Sequence, residues 1–455
     1  MGSKERLVVI GGVAAGMSAA SSAKRLKPDM EAVVYEKDFY ISYGLCSVPY
    51  YISGVVKQFE DLISLPPDAA LARGIEVKTC TEVLAIDTAA KTLRVKGPGT
   101  DGESITPYDK LIIATGGLPI KPPLADIDLA HIFTIRTLDD GLAIRKYIDH
   151  GNARKAIIVG GGYIGMEMCE SFRKRGLEVA VVEKTDRVLG TMNAEITAIV
   201  EAKIELEGVT FYPNTTVLGF TGNNDAVCGV VTDRGELEAD LVLLAVGSKP
   251  NSNLARDAGI ELAPNGAIRV DEYLRTSAPD VFAAGDCAEA IHLVTGKKTY
   301  IPLGTTANKQ GRIAGENAAG LNKAFEGIVG TAVTKVFDLE VARTGLSAIE
   351  AEMEGLCFIT STIKGRSRSS AYPAGKIITV SYIVEQDTGR LLGAQMVGEE
   401  GVAHRIDTLA ACLHAKMTVA DVARLDLAYA PPFASVWDPI LIAANVAAKE
   451  VLKVK

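Results

Sequence analysis

The chain has 455 residues, of which 48% are hydrophobic and 23% charged, and a formal net charge of -8 at pH 7. That length exceeds one ordinary hydrophobic core and predicts two or three domains. The acidic balance excludes a nucleic-acid binder, which would carry a basic face. No run approaches the roughly 18 apolar residues of a membrane span.

The N-terminus passes from Met1-Gly2-Ser3-Lys4-Glu5-Arg6 straight into the apolar run Leu7-Val8-Val9-Ile10, so a strand starts at once and no signal peptide is expected. Residues 7–36 read as a βαβ unit: an apolar run, a glycine cluster, an amphipathic stretch, and a second apolar run closed by Glu36. Its turn, Gly11-Gly12-Val13-Ala14-Ala15-Gly16, has the dinucleotide-binding spacing but carries Val13 at the central glycine position. Short strands and turns over 75–95 lead to Lys110-Leu111-Ile112-Ile113-Ala114, which is stopped by Thr115 and Gly116.

The same pattern returns at 156–183, with Gly160-Gly161-Gly162-Tyr163-Ile164-Gly165 between strand and helix and Glu183 at the end of the next strand. The glycines allow a tight turn and let the backbone approach a pyrophosphate at a helix N-terminus. Glu183 is placed to bond a ribose 2′-hydroxyl, which favours NADH and leaves NADPH as the alternative. Short strands over 209–240 again lead to a strand stopped by a glycine, Gly247. Two dinucleotide sites in one chain predict one tightly bound flavin and one exchangeable nicotinamide. Next comes Thr276-Ser277-Ala278-Pro279-Asp280-Val281-Phe282-Ala283-Ala284-Gly285-Asp286, whose final carboxylate can face a ribityl hydroxyl. Beyond about residue 328, strand patterns at 356–363, 377–385 and 391–397 precede a helical one at 402–416, a separate α+β domain without a nucleotide signature.

Seven cysteines (Cys46, Cys80, Cys169, Cys228, Cys287, Cys357, Cys412) are scattered and form no C-x-x-C pair. A disulfide scaffold or metal site is therefore not expected, and a reducing cytoplasm is.

The two glycine motifs, Ala114-Thr115-Gly116 and the segment ending at Asp286 make the chain similar to the pyridine nucleotide-disulfide oxidoreductase superfamily over essentially its whole length. The resemblance implies an α/β fold with two Rossmann-like domains. FAD would be held by 1–114 and 244–325, NAD(P)H by 115–243, and an α+β dimerisation domain at 328–455 would make a homodimer. It also implies cofactor contacts at Gly11, Gly12, Ala15, Gly16, Glu36, Thr115, Gly116, Gly160, Gly162, Ile164, Gly165, Glu183, Gly247, Gly285 and Asp286.

The segment Ser42-Tyr43-Gly44-Leu45-Cys46-Ser47-Val48-Pro49-Tyr50-Tyr51 indicates the branch. Cys46 has no second cysteine nearby, and none of the five histidines lies in a C-terminal His-Pro-x-x-x-Glu element. The segment resembles coenzyme A-disulfide reductases and NADH:polysulfide or persulfide reductases. Ala371-Tyr372-Pro373 and Ala428-Tyr429-Ala430-Pro431-Pro432-Phe433 resemble the segments by which a partner subunit brings tyrosines to that cysteine. Cys46, Tyr372 and Tyr429 are thus the implied catalytic residues, and a small-molecule disulfide or persulfide is the implied acceptor. The chemistry needs a thiolate, and a nearby helix N-terminus and the flavin are expected to lower the pKa of Cys46. The other six cysteines read as small buried hydrophobes.

For coenzyme A, as substrate or bound thiol, the resemblance implies Ser18, Ser22, Lys24, Arg25, Ser42, Arg73 and Lys309; Lys364, Arg366 and Arg368, just upstream of Tyr372, are placed to add phosphate contacts across the dimer. An ordinary solvated basic loop explains the last three equally well. Leu45 departs from the Asn that some members place before the cysteine. The rival oxidase and peroxidase branch carries a histidine where this chain has Ala14. That branch, and a slowly cycling NADH-sensing flavoprotein, stay open as alternatives.

Overall fold

The computed structural model describes residues 4–98 and 102–454. The first parallel sheet runs Val281–Ala283, Lys110–Ile113, Arg6–Ile10, Glu31–Tyr35, Ile75–Lys78 in spatial order. The second repeats the plan: Thr210–Tyr212, Glu178–Val182, Lys155–Val159, Leu241–Leu244, Ile132–Phe133. Both are parallel, and their apolar runs are unbroken because helices or loops cover both faces. Leu7, Val8 and Val9 are fully buried, as is Ile158.

The regions read as alternating short strands split in two. Ile75–Lys78 and Thr210–Tyr212 join the parallel sheets, whereas the strands after them form separate three-stranded antiparallel meanders. Local alternation cannot separate these fates, since strand partners are chosen over long distances. The chain leaves the first sheet along Gly117–Pro119 and returns along Ser248–Pro250, and these two strands pair antiparallel. Val281–Ala283 then completes the first sheet from its edge.

In the first unit, helix Ala14–Leu26 is covered by helix Gly304–Ala318. The approach needs glycine: a Cβ on Gly311 would meet Ala15 O at 2.2 Å, and one on Gly315 would meet Ala19 O at 2.1 Å. The C-terminal part is an antiparallel sheet in the order Ala332–Val336, Leu339–Gly345, Leu391–Gly398, Ile377–Glu385, Phe358–Arg366. Helices Val402–His414 and Pro439–Val454 pack on it. The strand expected at 356–363 starts later and extends through Lys364-Gly365-Arg366, because these polar residues stay paired with Ile377, Ile378 and Thr379 at the sheet edge. The helix expected to reach residue 416 stops at His414, and Lys416 adopts φ 53°, a left-handed end to the turn. Among the described residues no helix is long and apolar enough to cross a membrane.

Candidate active site

Both glycine motifs fold as their spacing predicts. Gly11 sits at φ 102° and Gly160 at φ 107°, and a Cβ there would meet Ala114 O at 2.3 Å and Ala245 O at 2.5 Å. At Gly16 and Gly165 a Cβ would strike the carbonyl of the motif's first glycine at 1.8 and 2.1 Å. Gly162 faces open space, the room a pyrophosphate needs. The residue after it, Tyr163, begins the helix that carries Ile164 and Gly165.

The helices that follow fit an anion. Ala14–Leu26 and Tyr163–Lys174 begin without a side-chain cap and without an acid in the first turn. By contrast, Leu138–Asp149, Ala348–Met353 and Val419–Val422 start at the capping boxes of Thr137, Ser347 and Thr418. The two bare ends leave backbone N–H donors for phosphate oxygens. Glu36 accepts from Gly12 N at 2.7 Å and Asp38 N at 3.0 Å, and Glu183 accepts from Gly161 N at 2.7 Å and Thr185 N at 2.8 Å. Burial raises the Glu36 pKa, against the opposing pull of those two backbone donors.

The Gly-Asp motif meets the first unit in space. A Cβ on Gly285 would lie 2.8 Å from the Cβ of Ala15, and Gly285 N donates to Gln310 Oε1 at 2.9 Å. Gln310 is fully buried and its Nε2 holds Glu289 O at 3.0 Å. Asp286 is ion-paired with Arg136, Nη2 to Oδ2 at 2.7 Å, and Arg136 Nε also donates to Gly117 O at 3.1 Å. Gly116 needs its φ of 70°, and Thr115 Oγ1 donates to Asn251 O at 2.5 Å, so Arg136 and the Thr115–Gly116 turn share one corner. Gly247 adopts φ 107° at the matching turn of the second unit. Sequence reasoning missed Arg136 and Gln310, which carry no motif of their own.

Cys46 lies in the short turn Leu45–Ser47, directly before helix Val48–Ile52. The turn is clamped from the second unit. A Cβ on Gly141 would meet Val48 Cγ1 at 2.3 Å, Ser171 Oγ donates to Pro49 O at 2.9 Å, and Arg145 Nη1 donates to Tyr51 O at 2.6 Å. Ser42 takes φ 47°, its N–H bonded to Gly12 O at 2.8 Å, which ties the cysteine segment back to the first glycine motif.

Cys46 reaches the protomer surface, yet its sulfur is crowded enough that desolvation raises the thiol pKa, with the Glu167 and Asp286 carboxylates adding to the rise. Its own backbone amide and Arg136 oppose that shift. The expected lowering is therefore not found in the protomer, because desolvation first, and two acids from other parts of the chain second, outweigh the backbone amide and Arg136. Glu167 accepts from Thr334 Oγ1 at 3.0 Å and burial pushes its pKa up to about 6. Tyr50, near both Cys46 and Glu167, is pushed up to about 12 by burial first and these charges second. Cys169, Cys287 and Cys412 are buried as expected, whereas Cys80, Cys228 and Cys357 are exposed.

Basic residues gather along the first helix. Lys24, Arg25 and Arg73 line a cleft of about 210 Å³ with Ser21 and Ile75. Ser22, on the same helix, is buried and accepts from Arg25 Nη2 at 3.3 Å. Four residues before Ser22, Ser18 Oγ donates to Asn308 Oδ1 at 2.7 Å, beside the exposed Lys309. Ser18, Ser22 and Arg25 thus form one stripe of the helix at i, i+4, i+7 spacing.

Tyr372 and Tyr429 are 39% and 48% exposed, in a region with exposed Phe433, Val436 and Trp437. Among the described residues no hydrogen bond joins either tyrosine to Cys46. Lys364 and Arg366 are exposed, but Arg368 departs from its expected role: Glu400 holds its guanidinium, Nε to Oε1 at 2.9 Å.

Comparison with known proteins agrees with this architecture. The family model described as pyridine nucleotide-disulphide oxidoreductase matches residues 5–311, and that of the family's dimerisation domain matches 331–439. An NAD(P)H sulfur oxidoreductase (CoA-dependent) of Pyrococcus abyssi is 42% identical over 97% of this chain and 98% of its own. An NADH oxidase of Methanocaldococcus jannaschii is 37% identical over 98% of this chain and 99% of its own. The solved NAD-dependent persulfide reductase from A. fulgidus superposes with a TM-score of 0.95 at 39% identity, covering 98% of this chain and 83% of that one. With both nucleotide units, the interleaved Gly-Asp strand and the C-terminal sheet in place, the chain belongs to the pyridine nucleotide-disulphide oxidoreductase family.

Proposed function

We propose that the protein is an FAD-dependent, NAD(P)H-oxidising reductase of coenzyme A disulfide or coenzyme A persulfide and polysulfide, with Cys46 as its redox-active sulfur. The observation that carries the reading is Cys46 itself, an accessible thiol at the seam of both nucleotide units with no second cysteine beside it. In this reading residues 1–114 and 244–325 hold FAD, 115–243 hold NAD(P)H and 328–455 make a homodimer. The nucleotide contacts are those of the two glycine motifs, Glu36, Glu183, Thr115, Gly116, Gly247, Gly285 and Asp286. Free thiols fit a cytoplasmic setting.

Bound flavin supplies the electron pair of NADH to sulfur. The chain's own part is to hold, aim and protonate that sulfur. The Cys46 thiolate attacks a disulfide RSSR, forming the Cys46–S–S–R bond and releasing one RS⁻, which takes up a proton. Two electrons then cleave the mixed disulfide to the Cys46 thiolate and a second thiol, so that NADH + H⁺ + RSSR gives NAD⁺ + 2 RSH. Arg136 is the nearby cation that favours the Cys46 thiolate. Tyr372 and Tyr429, reaching over from the partner subunit, orient or protonate the leaving thiolate. Their exposure and their place within the matched dimerisation domain support that assignment. The stripe of Ser18, Ser22 and Arg25, with Arg73, Lys309 and Ser42, would meet the phosphates and chain of coenzyme A.

The test is anaerobic NADH oxidation by the purified yellow protein with coenzyme A disulfide, polysulfide or no acceptor. Thiol release dependent on Cys46 is expected; NADH use that needs oxygen and ignores both sulfur acceptors would favour the oxidase reading. The identity to an NADH oxidase keeps that second reading in view, while Ala14, at the position of that branch's histidine, removes an acid-base group that peroxide cleavage needs.

A further inference from the structure

The loop bearing Tyr372 is fastened by an arginine that no nucleotide or sulfur contact requires. Arg368 Nε donates to Glu400 Oε1 at 2.9 Å, and its Nη2 pairs with the other carboxylate oxygen. Ser367 Oγ donates to the same carboxylate and accepts from Lys376 N at 2.8 Å, which closes the base of the loop. Arg405 Nη2 holds Ser367 O at 2.8 Å and is itself paired with the buried Asp438 at 2.9 Å. The loop wraps the side chain so closely that a Cβ on Gly375 would meet Arg368 Cγ at 2.9 Å.

The central carbon of this clamped guanidinium lies over the ring of Tyr372, 5.6 Å from its centroid. Two backbone bonds extend the unit. Tyr372 N donates to Ser369 O at 3.0 Å, and Ser369 N reaches Pro431 O at 3.3 Å, two residues beyond Tyr429. An exposed phenol on a surface loop would otherwise lose side-chain freedom each time it docks on a partner surface. A cation held by a carboxylate along one edge and set over the ring by a cation–π contact restricts that freedom beforehand.

We infer that Arg368 is a positioning residue: locked by Glu400, it presents Tyr372, and with it the Tyr429 segment, as one preformed unit for the Cys46 site. The inference rests on the reading of Tyr372 as a group that acts on the disulfide. It assigns to Arg368 a role distinct from phosphate binding, since the guanidinium edge is already taken by Glu400.

The experiment uses the full-length FAD-loaded protein with NADH and coenzyme A disulfide, comparing Arg368→Met, Arg368→Lys, Tyr372→Phe and the double variant Arg368→Met/Tyr372→Phe. Flavin reduction by NADH is followed in each as the control for folding. Arg368→Met is expected to lower kcat about tenfold, with KM for the disulfide and flavin reduction little changed. Lysine should not rescue, because an ammonium cannot fork onto both oxygens of Glu400. In the Tyr372→Phe background the arginine change should cost little more, because its effect is spent through that hydroxyl. A rise in KM with kcat intact would overturn the inference in favour of substrate binding, and equal losses in both backgrounds would overturn it as well. If Arg368→Met is silent while Tyr372→Phe is impaired, the inference falls and the role of Tyr372 stands. If Tyr372→Phe is silent and Arg368→Met impaired, both fall together.

Discussion

The nucleotide unit at residues 6–36 and the one at 155–183 share their steric rules and even a hydrogen bond, Gly12 N to Glu36 and Gly161 N to Glu183, each 2.7 Å. They differ in what surrounds them. Glu36 is buried, while Glu183 is partly exposed. The first helix, rich in Ala and Ser, is walled in by a second small-residue helix, whereas the second helix turns Glu167, Glu170 and Ser171 toward neighbouring elements. Ten residues past Glu36 lies accessible Cys46. Nine past Glu183 lies Met192, fully buried, followed by Asn193, which bonds Gln395 and Ser381 of the C-terminal sheet. In the proposed reading, one scaffold therefore serves an enclosed cofactor with chemistry beside it, and the other an open site anchored to the C-terminal sheet. The framework is duplicated, and the segments that leave it are where the two units diverge.

The sharpest way to break this comparison is to change the residue that distinguishes the two exits. Cys46→Ser should retain flavin and its reduction by NADH but lose disulfide reduction by about a thousandfold or more. Met192→Leu, at the matching exit, should leave turnover nearly intact. Stopped-flow flavin reduction and thiol release measured on the same samples would decide it; disulfide reduction near the wild-type rate in Cys46→Ser would remove the basis of the proposed function.

A second contrast lies in Glu167, an acid carried by the second helix with no equivalent on the first. Its folded pKa of about 6 stands above the ordinary 4.5, so its ionisation opposes folding, and stability is lost as pH rises from about 4.5 through 6. Glu167→Gln should therefore stabilise the protein by up to about 2 kcal/mol above pH 7 and by nothing below pH 4. Chemical denaturation at both values checks this. The same change removes a negative charge facing Cys46 and should lower its thiol pKa, whereas Arg136→Met should raise it, read as the pH dependence of Cys46 alkylation.

The paired glutamates offer a milder test. Glu183→Gln should shift the NADH-to-NADPH ratio of kcat/KM toward NADPH by about tenfold, roughly 1.4 kcal/mol. Glu36→Gln should leave that ratio alone and instead weaken flavin retention, measured by release of bound FAD on dilution. If the two variants exchange phenotypes, the assignment of the units is reversed. The smallest effect is expected from Val13→Gly, which makes the first motif match the second. The position begins a helix without a side-chain cap, so the cost should stay below about 1 kcal/mol in thermal unfolding, with flavin still bound.

By itself the sequence determined both βαβ units, their glycines, their closing glutamates and the isolation of Cys46. These are set by short-range rules: apolar periodicity, carbonyls that tolerate no Cβ, and strand length. Three of the five strands in the C-terminal sheet were legible to within a few residues for the same reason, whereas Ala332–Val336 and Leu339–Gly345 were not read from the sequence. Only the tertiary structure brought Arg136 to Asp286, 150 residues away, and laid Gly285 on Ala15. Only there was Cys46 crowded enough, with Glu167 adding its charge, for burial to reverse the expected direction of its pKa, and Arg368 turned from a free basic residue into the partner of Glu400. No local pattern encodes such meetings, because the partner of a charge or a thiol is chosen by sheet order and helix packing, and those bring together residues that the chain itself keeps far apart.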